Sequence, residues 1–227
     1  MGFKFNHIIF NSLSERMKLE EIPLPEDIKN KDSFDKERSI NVKLYKGEKI
    51  EKIMLAEMLT SGSVDNHFGL VYPEESYDFP VFEFYFGLVG EGLIAVIELH
   101  PLRKEKSYRE KYTSPLKKLY QEAQKKIPDP MQSLPEWIEE FLSEYGFFMI
   151  STDQHLPKIE ETFKSYLELW IAYMEEAKPI VDPKLKDSVL KSKKRFCKIF
   201  SENDPGKPAF LRNFGEVWTE KFFREIY

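Results

Sequence analysis

Between residues 39 and 99 apolar and polar side chains first trade places at every second position, over 40–45, and then run in short, largely apolar segments, and past residue 155 the apolar ones recur at every third or fourth. The first period is that of a half-buried strand, the second that of an amphipathic helix. Ile40-Asn41-Val42-Lys43-Leu44-Tyr45 alternates, a Gly47-Glu48-Lys49 turn follows, and further strands are predicted over 50–59, 68–72, 81–89 and 93–99. Connections this short predict an antiparallel meander. The strands are apolar on both faces, so both sides of the sheet must be covered. Ile159, Phe163, Tyr166, Leu167, Trp170 and Met174 form an apolar stripe over 156–177, and two more helices are predicted over 185–201 and 208–226. A short helix is predicted over 12–19, with Ser12 or Ser14 as its N-cap, and the charged, proline-containing run 22–38 reads as a surface excursion. The fold class is therefore α/β: a three-layer α/β/α sandwich with a central antiparallel sheet, formed by a single domain over 1–227.

Composition narrows the function classes. Of 227 residues, 41% are hydrophobic and 32% charged, as in an ordinary globular chain, but 15% are aromatic, with 19 Phe and 11 Tyr. Aromatic side chains bury large areas and also form flat walls suited to a planar ligand. A formal charge of −5 argues against nucleic-acid binding, which needs a basic stripe. Arg103, Lys104, Lys106, Arg109, Lys111, Lys117 and Lys118 form a local basic cluster, either a solvated helical face or a docking patch for an acidic protein. A single cysteine, Cys197, allows no internal disulfide and no thiolate metal site, and the four histidines lack ligand spacing, so no bound metal is expected. No apolar run approaches the ~20 residues of a membrane span, and residues 1–11 do not read as a secretory signal. A cytoplasmic monomer is expected, or a plastid-stromal one if a transit peptide has been removed.

Two acids draw attention. Glu98 ends the apolar run Ala95-Val96-Ile97, and a carboxyl carried into an apolar sheet has its neutral form favoured, which suits a group that holds and then delivers a proton. The bland alternative is a wet strand end or an ion pair. Asp204, before Pro205, fits a turn or the cap of a helix starting near Pro208. His67 and His100 flank the predicted strands, and Glu74 and Asp78 lie in a predicted turn.

Several segments, in order, resemble the ferredoxin-dependent bilin reductases, the phycocyanobilin- and phycoerythrobilin-type oxidoreductases. They are Tyr72-Pro73-Glu74, Tyr77-Asp78-Phe79-Pro80-Val81-Phe82, the run from Ala95 to Pro101, Ser143 to Phe148, Asn203-Asp204-Pro205 and Phe214 to Trp218, set within a resemblance that extends over about 40–226. The resemblance implies the same sandwich fold and a reaction in which reduced ferredoxin supplies electrons one at a time to biliverdin or a related bilin, with no cofactor bound. It implies that Glu98 and Asp204 are the carboxyls that protonate the reduced bilin, although the family's sheet residue is usually the shorter Asp. It implies a substrate contact at Glu74, which matches a common family position; His67 and His100, flanking the strands that would line the pocket, are candidate substrate contacts or else satisfied structural side chains. Ile150 stands where several members have a propionate-binding Arg, and Ile makes no such bond; Lys207 and Arg212 are then the candidate propionate partners. Two other readings stay open: a reductase of a chlorophyll-derived linear tetrapyrrole, and a non-catalytic bilin carrier.

Overall fold

The alternating segments are joined by turns too short for anything but reversal of direction, so each strand pairs with the one before it. In the computed structural model, which describes residues 3–90, 92–128, 132 and 136–227, helix α1 (Phe5–Ser14) is followed by strand β1 (Glu20–Ile22), helix α2 (Glu26–Lys29) and strands β2 (Asn30–Asp32) and β3 (Arg38–Gly47). Strands β4 (Ile50–Thr60), β5 (Ser63–Pro73), β6 (Val81–Val89) and β7 (Gly92–His100) continue the meander. Next come helices α3 (Lys106–Tyr112) and α4 (Leu116–Lys126), a 3-10 turn at Glu136–Phe141 and strand β8 (Phe147–Thr152). After a second 3-10 turn, helices α5 (Leu156–Glu176), α6 (Pro183–Asn203), α7 (Lys207–Phe214) and α8 (Glu216–Ile226) complete the order. All strands join one antiparallel sheet in the order β1-β3-β4-β5-β6-β7-β8, with β2 also on β3. The predicted turn residue Glu91 lies outside the described residues.

Period-two alternation sorts side chains into two cores. Phe82, Phe84 and Phe86 of β6 and Leu93, Ala95 and Ile97 of β7 join α1 and α5 on one face. Met54, Leu70 and Tyr72 face the other way, against Phe196, Phe210 and Phe222 of the α6–α8 layer. Side chains such as Phe82 and Phe163 are fully buried, each contributing roughly 1.5–3 kcal/mol. The three-layer α/β/α sandwich with its central antiparallel sheet is thus observed, and the sheet is a stiff platform between two helical layers. Among the described residues no helix is long and apolar enough to cross a membrane.

Three expectations are corrected. The first helix is α1 at Phe5–Ser14, with Ser14 at its C-terminal end, because Phe5, Ile9 and Leu13 supply the buried stripe. The run 22–38 is not a bare excursion: it holds α2 and β2, anchored by fully buried Ile28. The helix expected over 208–226 is two helices, since Gly215 breaks it at φ 84° and ψ 160°, a region open essentially to glycine alone. A Cβ at Gly215 would also overlap the Phe34 ring. Gly215→Ala is therefore expected to destabilise the chain by roughly 1–3 kcal/mol in denaturant titration; an unchanged midpoint would contradict this reading of the α7–α8 corner.

Candidate active site

Strand phase decides what the sheet offers the α6–α8 layer. With Phe82, Phe84, Ile97 and Leu99 pointing to α5, the intervening Glu83 and Tyr85 on β6 and Val96, Glu98 and His100 on β7 point to the opposite side. There a cavity of about 320 Å³ lies between the sheet and α6–α8, at the small end of the range usual for ligand sites. Phe200, Phe210, Phe222 and Phe223 line it from the helical side, and among its described lining residues there is no Lys or Arg.

The register of β6 on β7 sets Glu83 directly opposite Glu98. Two like charges so placed destabilise a sheet, so something must offset them. His100, two residues beyond Glu98, does so: its Nε2 lies 2.5 Å from Glu83 Oε2, while Nδ1 lies 2.9 Å from the carbonyl oxygen of Phe141. Burial opposes a charged imidazole, but the bond to Glu83 and the charges of Glu83 and Glu98 outweigh it and hold His100 above its ordinary value. Glu98 is 3% exposed. Its Oε1 accepts from the amides of Leu99 (2.9 Å) and Ser143 (3.0 Å). Burial raises its carboxyl above the usual range, against the opposing pull of His100 and of the hydrogen bonds from Ser143 and Leu99.

From the helical side, Asp204 follows the end of α6. Its Oδ1 accepts from the amide of Gly206 (2.7 Å) and its Oδ2 from the Tyr227 hydroxyl (2.6 Å). Burial pushes its carboxyl up to about 6 in spite of both bonds. The turn role and the cavity role anticipated for Asp204 are thus both occupied: the same carboxyl orders the entry to α7 and lines the cavity.

Of the candidates from sequence, Glu98, Asp204 and His100 come together in this wall, and the others do not. His67 is buried on the opposite side of the sheet, packed on Phe3 and Phe5 and accepting from the Asn6 amide, because its neighbour Phe68 takes the cavity-facing phase of β5. Glu74 closes a turn, accepting from the Ser76 amide. Lys207 is held by the Ser201 carbonyl and Glu220, and Arg212 is exposed on α7. Ile150 on β8 is 49% exposed beside Ile94, so the propionate position of the resemblance faces solvent at the sheet edge. Glu83 and Tyr227 were not anticipated. A signal for Glu83 existed: it is the one charged residue between Pro80 and Gly90, in phase with Tyr85. For Tyr227 there was none.

Outside the cavity, the basic cluster is partly answered within the chain. Arg103 pairs with Asp78 (2.7 Å), Lys104 with Glu140, Lys106 with Glu110 and Arg109 with Glu144. Helix α6 adds exposed Lys184, Lys194 and Lys198.

Residues 6–227 match the sequence profile of the family described as ferredoxin-dependent bilin reductase. A 15,16-dihydrobiliverdin:ferredoxin oxidoreductase of Nostoc punctiforme is 26% identical over 187 residues, covering 80% of this chain and 75% of that protein. A phycoerythrobilin:ferredoxin oxidoreductase of Gloeobacter violaceus is 24% identical, with 92% and 87% covered. The crystal structure of phytochromobilin synthase from tomato in complex with biliverdin superposes with a TM-score of 0.88 over 98% of this chain and 83% of that one, at 19% identity, a likeness of fold.

Proposed function

The chain belongs to the ferredoxin-dependent bilin reductases, and we propose that it reduces biliverdin or a dihydrobiliverdin to a phytobilin, with Glu98 and Asp204 donating protons from opposite walls. The observation that carries this reading is one aromatic-walled cavity with carboxyls from both layers and no lining cation among the described residues. Each double bond reduced takes two electrons and two protons. Ferredoxin delivers the electrons singly, with no redox group resident in the chain, so the bilin passes through odd-electron species. A buried carboxyl kept partly neutral protonates such a species where the ligand lies, and the acid within reach selects the carbon. The propionates, finding no cation in the wall, extend towards solvent at the β8 edge. Acidic ferredoxin docks on the basic surface of α3 and α6, where charge speeds the encounter.

The test is a titration of the protein with biliverdin and with 15,16-dihydrobiliverdin. Either is expected to shift its visible spectrum on binding and again on anaerobic addition of reduced ferredoxin, with a reduced bilin recovered by chromatography. Tight binding with no product from either would instead identify a bilin carrier.

A further inference from the structure

Glu83 and His100 are left unused by that mechanism, yet they sit in the same wall. We propose that they form a proton-holding pair on the sheet side of the cavity, in which Glu83 is a catalytic residue that passes a proton to the reduced ligand and His100 is the positioning residue that keeps it loaded. This deepens the bilin-reductase reading and rests on it.

Geometry fixes where the protons are. A carbonyl oxygen only accepts, so His100 Nδ1, facing Phe141, carries hydrogen. Nε2 is then the one ring position left to exchange. At 2.5 Å from Glu83 Oε2, two lone pairs cannot face each other, so a proton lies between them. The pair is either imidazolium with carboxylate or imidazole with carboxylic acid, and both hold one transferable proton.

The surroundings favour keeping it. Glu98 stands opposite Glu83 on β7, Asp204 and Tyr227 approach from the helical layer, and Tyr72 lies near on β5. Phe196 and Phe200 pack their rings on the imidazole at 4.8 and 5.2 Å. In the transfer, the proton shared by His100 Nε2 and Glu83 leaves through Glu83: the Nε2–H bond breaks as the carboxylate takes the proton up, and the O–H bond so made breaks as a bond to hydrogen forms on the bilin radical anion made by one ferredoxin electron. The carboxylate left behind faces a lone pair and a neighbouring acid, so the pair takes up a proton again from water.

The imidazole also borders the space from which that proton would come. Behind His100 lies a second space, a groove of about 460 Å³ bounded by Arg103, Lys104, Ser192 and Arg195. Among the described residues His100 alone belongs to the walls of both spaces. When a bilin fills the cavity and shields Glu83, the imidazole still borders the groove.

The experiment has two arms. In the ligand-free full chain, nitrogen NMR of the imidazoles, of which there are four, is expected to show His100 protonated on both nitrogens at neutral pH. Glu83→Gln should lower its titration midpoint by about one unit or more, a tenfold change in proton affinity. In anaerobic turnover with reduced ferredoxin and whichever bilin the wild type reduces, Glu83→Gln should lose about tenfold or more in rate while still binding the bilin. Glu83→Asp should recover part of the rate, and His100→Gln should steepen its decline from about pH 6 to about pH 8. A wild-type-like rate for Glu83→Gln across that range, or a His100 midpoint that Glu83→Gln leaves in place, overturns the pair. A wild-type protein that reduces neither bilin sinks the bilin reading instead, and the NMR arm still decides whether the pair holds its proton.

Discussion

Asp204→Asn is expected to lower turnover by about 10²–10⁴-fold, the usual contribution of a general acid such as Asp204 is proposed to be, while making the folded chain more stable at neutral pH. The second half follows from the direction of the Asp204 shift. Its carboxyl stands at about 6 in the fold against an ordinary 3.8. Between those values the folded state keeps a proton that the unfolded chain has released, so stability falls as pH rises from about 4 to about 6 and stays lower above that. The difference corresponds to about 3 kcal/mol. Asn never ionises and avoids this loss, but its Nδ2 replaces the oxygen that accepts from Tyr227, so that bond must reverse, with the hydroxyl accepting, which costs about 1 kcal/mol. The expected net gain is about 2 kcal/mol at pH 7.5, a rise of about 4–8 °C in Tm for a chain this size. Near pH 4 the order reverses, because Asp204 is protonated there as well. Calorimetry at the two pH values and single-turnover kinetics check both halves. A variant that is less stable at pH 7.5, or fully active, shows that Asp204 serves the α6–α7 turn alone.

A group held at such a cost marks where local rules give way to function, and the sequence made some of these places visible but not others. Strands 81–89 and 93–99 were legible as two long apolar runs that Gly90 punctuates, and Glu98 stood out as an acid ending an apolar run. Asp204 was found through resemblance, since Asp-Pro in isolation reads as a turn. Glu83 was hidden because its meaning lies in register: only β6 paired on β7 shows that it faces Glu98 and reaches His100. His67 was misjudged for want of phase, since Phe68, Leu70 and Tyr72 mark the face of β5 that looks to α6–α8 and leave His67 on the other. Strands β1 and β2 escaped notice because edge strands can be short and polar.

The second large effect belongs to a residue with no side chain. Gly146 precedes β8, and a Cβ built on it would overlap the Glu98 carboxyl. That carboxyl cannot simply swing aside, because its other oxygen accepts from Leu99 and Ser143. The missing Cβ at Gly146 is what leaves room for the Glu98 carboxyl across the β7–β8 step. Gly146→Ala is therefore expected to cost about 1–3 kcal/mol through overpacking. If Glu98 is the sheet-side proton donor proposed above, Gly146→Ala should also lower turnover by about 10²-fold, by misplacing its carboxyl relative to the ligand. A double-mutant cycle separates this from a backbone effect. In a Glu98→Ala background the new methyl enters vacated space, so the stability cost of Gly146→Ala should largely vanish, a coupling of about 1 kcal/mol or more between the two sites. Strictly additive effects would mean that the Glu98 carboxyl lies elsewhere, and the sheet-side proton donor would have to be sought in Glu83 instead.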